Sequence, residues 1–149
     1  MKNFALAFTL LFFISAYSQS TNPNKNLNFN ITSLNEDPII DGNILDEDLW
    51  NSLLPLTDLK QIKPNYGASA SENTEIRIAY TSKTLYVAVV CYDSAPNEIV
   101  VSDSRRDADL NDDDSFLFII DTYNDQQNGF LFGTNADGME YDAQIDNEG

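Results

Sequence analysis

Oxygen donors crowd one short stretch of this chain. Asp121, Asn124, Asp125 and Asn128 fall between two apolar runs, Ser115–Ile120 and Phe130–Phe132. Carboxylate and amide oxygens at that density suit a hard cation, and calcium takes about six to eight of them. The same residue types cap turns and keep an acidic surface solvated, so both readings stand. The stretch is not an EF-hand: counted from Asp109, the sixth position is Asp114 rather than glycine and the twelfth is Ile120 rather than glutamate. A second chemistry needs flat aromatic faces beside planar polar groups, which is how a protein holds the C–H faces and hydroxyl edges of a sugar. Tyr66, Tyr92 and Tyr123 lie outside the core pattern, with Arg105, Arg106 and Gln126 as hydrogen-bonding candidates.

Composition removes several alternatives. There is no histidine, which excludes Ser-His-Asp and Cys-His catalysis and any His-ligated zinc within the chain. The many carboxylates include no pair that spacing singles out for glycoside hydrolysis, so the chain is read as non-catalytic. One cysteine, Cys91, allows no internal disulfide and sits inside the apolar run Leu85–Tyr92, where a buried thiol is expected. Eight Lys and Arg against 24 Asp and Glu give a formal charge of −16, which argues against a nucleic-acid partner. Residues 93–149 carry 15 of those acids, mostly Asp, and only Arg105 and Arg106 as bases.

The elements that must position these residues are short strands. At the start, Lys2, the 13-residue apolar stretch Phe4–Ala16 and the small residues Ala16 and Ser18 read as a secretory signal peptide over 1–18, too short to span a bilayer. The protein is therefore expected to be exported, to periplasm, outer membrane or beyond. Residues 19–37, rich in Asn, Ser and Thr, read as a flexible lead. Pro38–Ile40 suggests a short strand, and Asp46 a cap for a short helix that turns Leu49, Trp50 and Leu53 inward. Leu59–Lys63 and Ile99–Val101 suggest further short strands. Ile76, Ile78 and Tyr80 alternate with Glu75, Arg77 and Ala79, as a strand with one wet face does. With Leu85–Tyr92, apolar on both faces, that run forms a hairpin across Ser82-Lys83. Ser115–Ile120, Phe130–Phe132 and Met139–Ile145 complete an all-β pattern, a β-sandwich of antiparallel strands with one short helix near Trp50. Phe116, Phe118, Phe130 and Phe132 are its packing residues. The last strand has no later partner, so the chain reads as a C-terminally truncated domain.

In order and spacing, these residues resemble a known family. Pro38-Ile39-Ile40-Asp41-Gly42, Leu45-Asp46-Glu47 and Trp50 are similar to the opening of family 9 carbohydrate-binding modules. The likeness continues through Gln61, Pro64, Gly67, Ala70-Ser71-Glu72, Thr74-Glu75, Ile78, Leu85-Tyr86-Val87, Asp93 and Arg106-Asp107. It runs on through Asp114-Ser115-Phe116, Ile120-Asp121-Thr122, Asp125, Asn128-Gly129-Phe130, Phe132, Asn135, Gly138 and Asp142. It resembles most the variants at the N-termini of large bacterial envelope proteins. The resemblance implies a sandwich over 38–149 that binds polysaccharide or oligosaccharide, often beside a glycoside hydrolase in carbohydrate catabolism, with structural calcium. It places the charged pair Arg106 and Asp107 among the sugar contacts, beside Tyr92 and Tyr123 from outside the core pattern; Asp121, Asn124, Asp125 and Asn128, in one connection between two strands, are the metal-ligand candidates. It implies as partner a missing C-terminal region of the same protein, with a membrane-embedded form among its variants. The other reading is a structural or docking domain of an outer-envelope protein with no sugar ligand.

Overall fold

β-Branched and aromatic side chains dominate the six strands found among the described residues, and they suit a pleated, half-covered surface. A computed structural model describes residues 29–146; the expected signal peptide lies outside them. The strands are β1 Thr32–Ser33, β2 Thr74–Tyr80, β3 Leu85–Cys91, β4 Ser115–Ile120, β5 Gly129–Asn135 and β6 Tyr141–Ile145. The helical pieces are α1, Asp48–Asn51, and a single 3₁₀ turn at Pro96–Glu98. The fold is all-β: one sheet is ordered β1-β2-β3 and the other β4-β5-β6. Every pairing is antiparallel except β1 with β2.

The compact unit begins at Thr32, inside the segment expected to be a flexible lead. β1 pairs Thr32 with Ala79 and Ser33 with Tyr80, and the Leu34 N–H donates to the Tyr80 carbonyl at 2.7 Å. A hydrogen bond from the Tyr86 hydroxyl to the Asp37 carboxylate pins the same segment and lowers the Asp37 pKa.

The β2–β3 hairpin is in the expected place, with Thr74 opposite Cys91 and Tyr80 opposite Leu85. The expected wet face of β2 is instead covered. Ala79 is fully buried, Arg77 is 7 % exposed, and Ala79 and Ala88 join Trp50 and Leu53 in the core. Two alanines leave room for the indole, which alone removes roughly 150–250 Å² from water. Arg77 enters this face as an ion pair, Nη2 to Glu75 at 2.9 Å, with Nε and Nη1 unpaired.

Three short elements differ from expectation. Pro38–Ile40 is not a strand: Ile39 and Ile40 are 71 % and 77 % exposed, because no neighbouring strand reaches them. Leu59–Lys63 keeps one isolated bridge, Lys60 to Ser69, and 99–101 keeps only side-chain and backbone bonds between Val100 and Asp114. The residue at the helix N-cap is Glu47 rather than Asp46, and its side chain makes no capping bond.

In the second sheet Phe118 stands directly opposite Phe132, with ring centroids 5.5 Å apart, and Phe116 lies 6.0 Å from Phe118. This ladder occupies one face. Leu117, Ile119 and Leu131 occupy the other, so the sheet is apolar on both sides. Buried Asn135 holds its upper end together. Its Nδ2 donates to the Asp103 carbonyl at 3.0 Å and to Asp113 Oδ2 at 2.8 Å, and its Oδ1 accepts the Asp137 and Met139 N–H groups at 3.1 Å.

Candidate functional site: a hollow beside the β4–β5 loop

β4 ends at Ile120 and β5 begins at Gly129, so the oxygen-rich stretch is the connection between two paired strands. Glycine is required at its close, because a Cβ on Gly129 would stand 2.7 Å from the Ile120 carbonyl oxygen. The loop is built by its own aspartates. Asp121 Oδ1 accepts the Tyr123 and Asp125 N–H groups at 3.2 Å, and its Oδ2 accepts Gln126 N–H at 2.8 Å. Asp125 Oδ1 accepts the Gln127 and Asn128 N–H groups at 2.9 Å, and its Oδ2 accepts Asn128 Nδ2 at 2.7 Å. The Asn128 side chain and these backbone donors hold the Asp125 pKa below its ordinary value. Asn124 and Gln126 take left-handed backbone conformations to bring the N–H groups round, with φ of 54° and 59°.

The four expected metal ligands thus share one loop, and its two aspartates accept N–H groups from within it. A carboxylate offers about four lone-pair positions. Three are engaged at Asp121 and three at Asp125, which leaves about one on each. Among the described residues no group of three or more His, Cys, Asp or Glu side chains is placed to hold a metal. As folded, the aspartates of this loop serve its own N–H groups first.

Beside the loop lies a hollow of about 330 Å³. Tyr123 and Phe130 border it, 75 % and 41 % exposed, together with Asp125, Asn128, Gln144 and Asp146. Gln144 sits directly opposite Phe130 in the β5–β6 ladder, so carboxamide and ring share a face. Gln144 Nε2 donates to Asp146 Oδ1 at 2.8 Å, which orients the amide. Two aromatic surfaces beside amides and carboxylates match what a sugar needs.

The other expected sugar contacts lie elsewhere. Arg106 and Asp107 form part of a turn docked on the start of β6, the opposite strand end. Arg106 pairs with Glu140, with Asp142 at 2.5 Å and with Asp107 at 3.4 Å, which raises its own pKa. Asp107 N–H donates to the Glu140 carbonyl at 3.0 Å, and Asp107 Oδ1 accepts Asp142 N–H at 3.4 Å. Three of the five guanidinium N–H groups are thereby directed at carboxylates. Tyr92 lies at a separate cleft of about 730 Å³, where Val87 and Val89 from β3 and Phe116 and Phe118 from β4 line the walls. Cys91, expected to be buried, is exposed on that cleft, because β3 is the outer strand of its sheet and no third strand covers its end.

Sequence reasoning placed Tyr123 at the hollow but missed Phe130, Gln144 and Asp146. Phe130 reads as one more core aromatic, and Gln144 stands out only once the register places it opposite that ring. No family model, curated protein or solved structure matches the chain.

Proposed function

We propose that the chain is a non-catalytic carbohydrate-binding module with a β-sandwich architecture, exported from the cell. It targets the protein that carries it to polysaccharide or oligosaccharide in carbohydrate catabolism. The hollow beside the β4–β5 loop carries this reading, with Tyr123 and Phe130 as stacking surfaces and Gln144, Asn128 and Asp125 as hydrogen-bond partners. The Asn128 and Gln127 donors lower the Asp125 pKa, which suits a hydrogen-bond acceptor rather than the protonated acid of glycoside hydrolysis. Affinity electrophoresis through gels containing xylan, β-glucan, mannan or chitosan tests the reading. Retardation by at least one polysaccharide is expected, and Tyr123→Ala should weaken it by about tenfold through loss of a stacking face. Free migration in every gel, or retardation unchanged in the Tyr123→Ala protein, overturns it.

A second reading, a docking domain with no sugar ligand, is favoured by one observation: the larger, apolar-walled cleft between β3 and β4.

A further inference from the structure

We propose that β3 and β4, with the cleft between them, receive a β-strand from a polypeptide partner. The strand is extended, apolar at alternate positions, and carries lysine or arginine at the end that lies by Glu72, Asp93 and Asp114. The two sheets expose four edges among the described residues, β1, β3, β4 and β6. An edge strand presents a row of unpaired N–H and C=O groups, and proteins blunt it by shortness, charge or cover. β1 is two residues long. β6 is covered by the Arg106–Asp107 turn, which pairs with Glu140 and Asp142 and bonds to the β6 backbone at Asp142 N–H.

β3 and β4 have no such protection. They read LYVAVVC and SFLFII, without a charge or a proline, and their registers run unbroken with no bulge. Apolar side chains from both walls, Val87, Val89, Phe116 and Phe118, face the cleft, whose volume of about 730 Å³ is within the range of ligand cavities. A strand paired along one edge would bury every second side chain there.

Charge selects the occupant. Each charged residue lining the cleft is acidic: Glu72, Asp93 and Asp114. A second copy of the chain would bring another formal charge of −16 and the same acidic rim to that rim, and like charges set face to face oppose association. A strand with a cationic end meets the rim favourably.

The test uses the protein with labelled octapeptides of alternating valine and threonine, read by fluorescence anisotropy and amide hydrogen exchange. The peptide ending in lysine should bind saturably and slow exchange in β3 or β4 but not in β6. Its twin ending in glutamate should bind about tenfold more weakly. Glu72→Gln combined with Asp93→Asn, at two exposed positions, should bring the two peptides to within about threefold of each other. A peptide with proline at its centre, which cannot complete a ladder, should not bind. Absence of saturable binding overturns the proposal, as does equal binding of the proline peptide. A dimer of the protein alone that protects β3 and β4 would assign the cleft to a second copy and overturn it equally.

Discussion

Replacing Asn135 by alanine tests how the second sheet is held at its upper end. The side chain is 6 % exposed and uses both donors and both acceptor positions. Its partners come from three separate segments, around Asp103, Asp113 and Asp137–Met139. After substitution, the Asp137 N–H can turn to water because Asp137 is exposed, and the Asp103 carbonyl and Asp113 carboxylate can do so in part because those residues are half-buried. Met139 cannot: it is 4 % exposed, and its N–H loses its partner in a buried place. A stranded buried donor costs about 1–3 kcal/mol, and each re-solvated bond forfeits about 0.5–1 kcal/mol. The expected loss is about 3 kcal/mol, or a fall in Tm of roughly 10 °C for a domain of this size. Urea unfolding followed by Trp50 fluorescence measures it, since that single buried indole reports the first sheet and so the cooperative unit. The midpoint should fall with an unchanged slope. A loss below about 1 kcal/mol would mean that Asn135 merely occupies the junction and that the three segments are held by other bonds.

Acid should destabilise the fold in a defined window. Arg105 beside Asp103 lowers that carboxyl from its ordinary 3.8 to about 2, by side-chain and backbone hydrogen bonds. Asp37, Asp113 and Asp125 are lowered in the same direction by their own donors. A depressed folded-state pKa contributes stability that is fully present above the unfolded value and is lost as protons bind in the folded state. Stability should therefore hold above pH 3.8 and fall as the pH drops towards 2, and Arg105→Gln should move the Asp103 titration upward towards 3.8, the residue-105 backbone bond remaining; an unchanged midpoint for Asp103 would refute the assignment. Chelation gives a separate check on the β4–β5 loop: addition of EDTA should leave Tm unchanged, and a fall reversed by calcium would show that the Asp121 and Asp125 oxygens exchange their N–H partners for a cation.

The strands were legible where periodicity and composition agreed. Ser115–Ile120 has the same limits in sequence and structure, and the alternating run Glu75 to Tyr80 gains only Thr74, because β-branched and aromatic residues fill both between turn residues. What was not legible depends on partners distant in sequence. Alternation marked Arg77 and Ala79 as a wet face, yet Trp50, more than twenty residues earlier, folds back over it. Thr32–Ser33 reads as polar lead because a two-residue strand has no period; it exists through pairing with Ala79 and Tyr80. Arg106 and Asp107 were legible as a charged pair but not in their role, since Glu140 and Asp142 reach them only after β6 has formed. Gln144 at the hollow shows the same dependence, its neighbour Phe130 being set by register alone.

The excess of aspartate over glutamate has a local cause. Six aspartates accept the backbone N–H two residues ahead: Asp41 from Asn43, Asp93 from Ala95, Asp103 from Arg105, Asp109 from Asn111, Asp121 from Tyr123 and Asp125 from Gln127. The aspartate carboxylate, one methylene from the backbone, reaches that N–H in a single tight turn, and the longer glutamate arm does not close the same ring. Short strands need many such turns, so an all-β chain built this way accumulates aspartate at its strand ends. The aspartates at the strand ends thus build turns and, as Asp93 does beside the cleft, still present their charge to solvent. What remains for recognition is what turn building does not explain: two exposed rings beside an oriented amide at one end of the second sheet, and two unguarded apolar edges along the cleft.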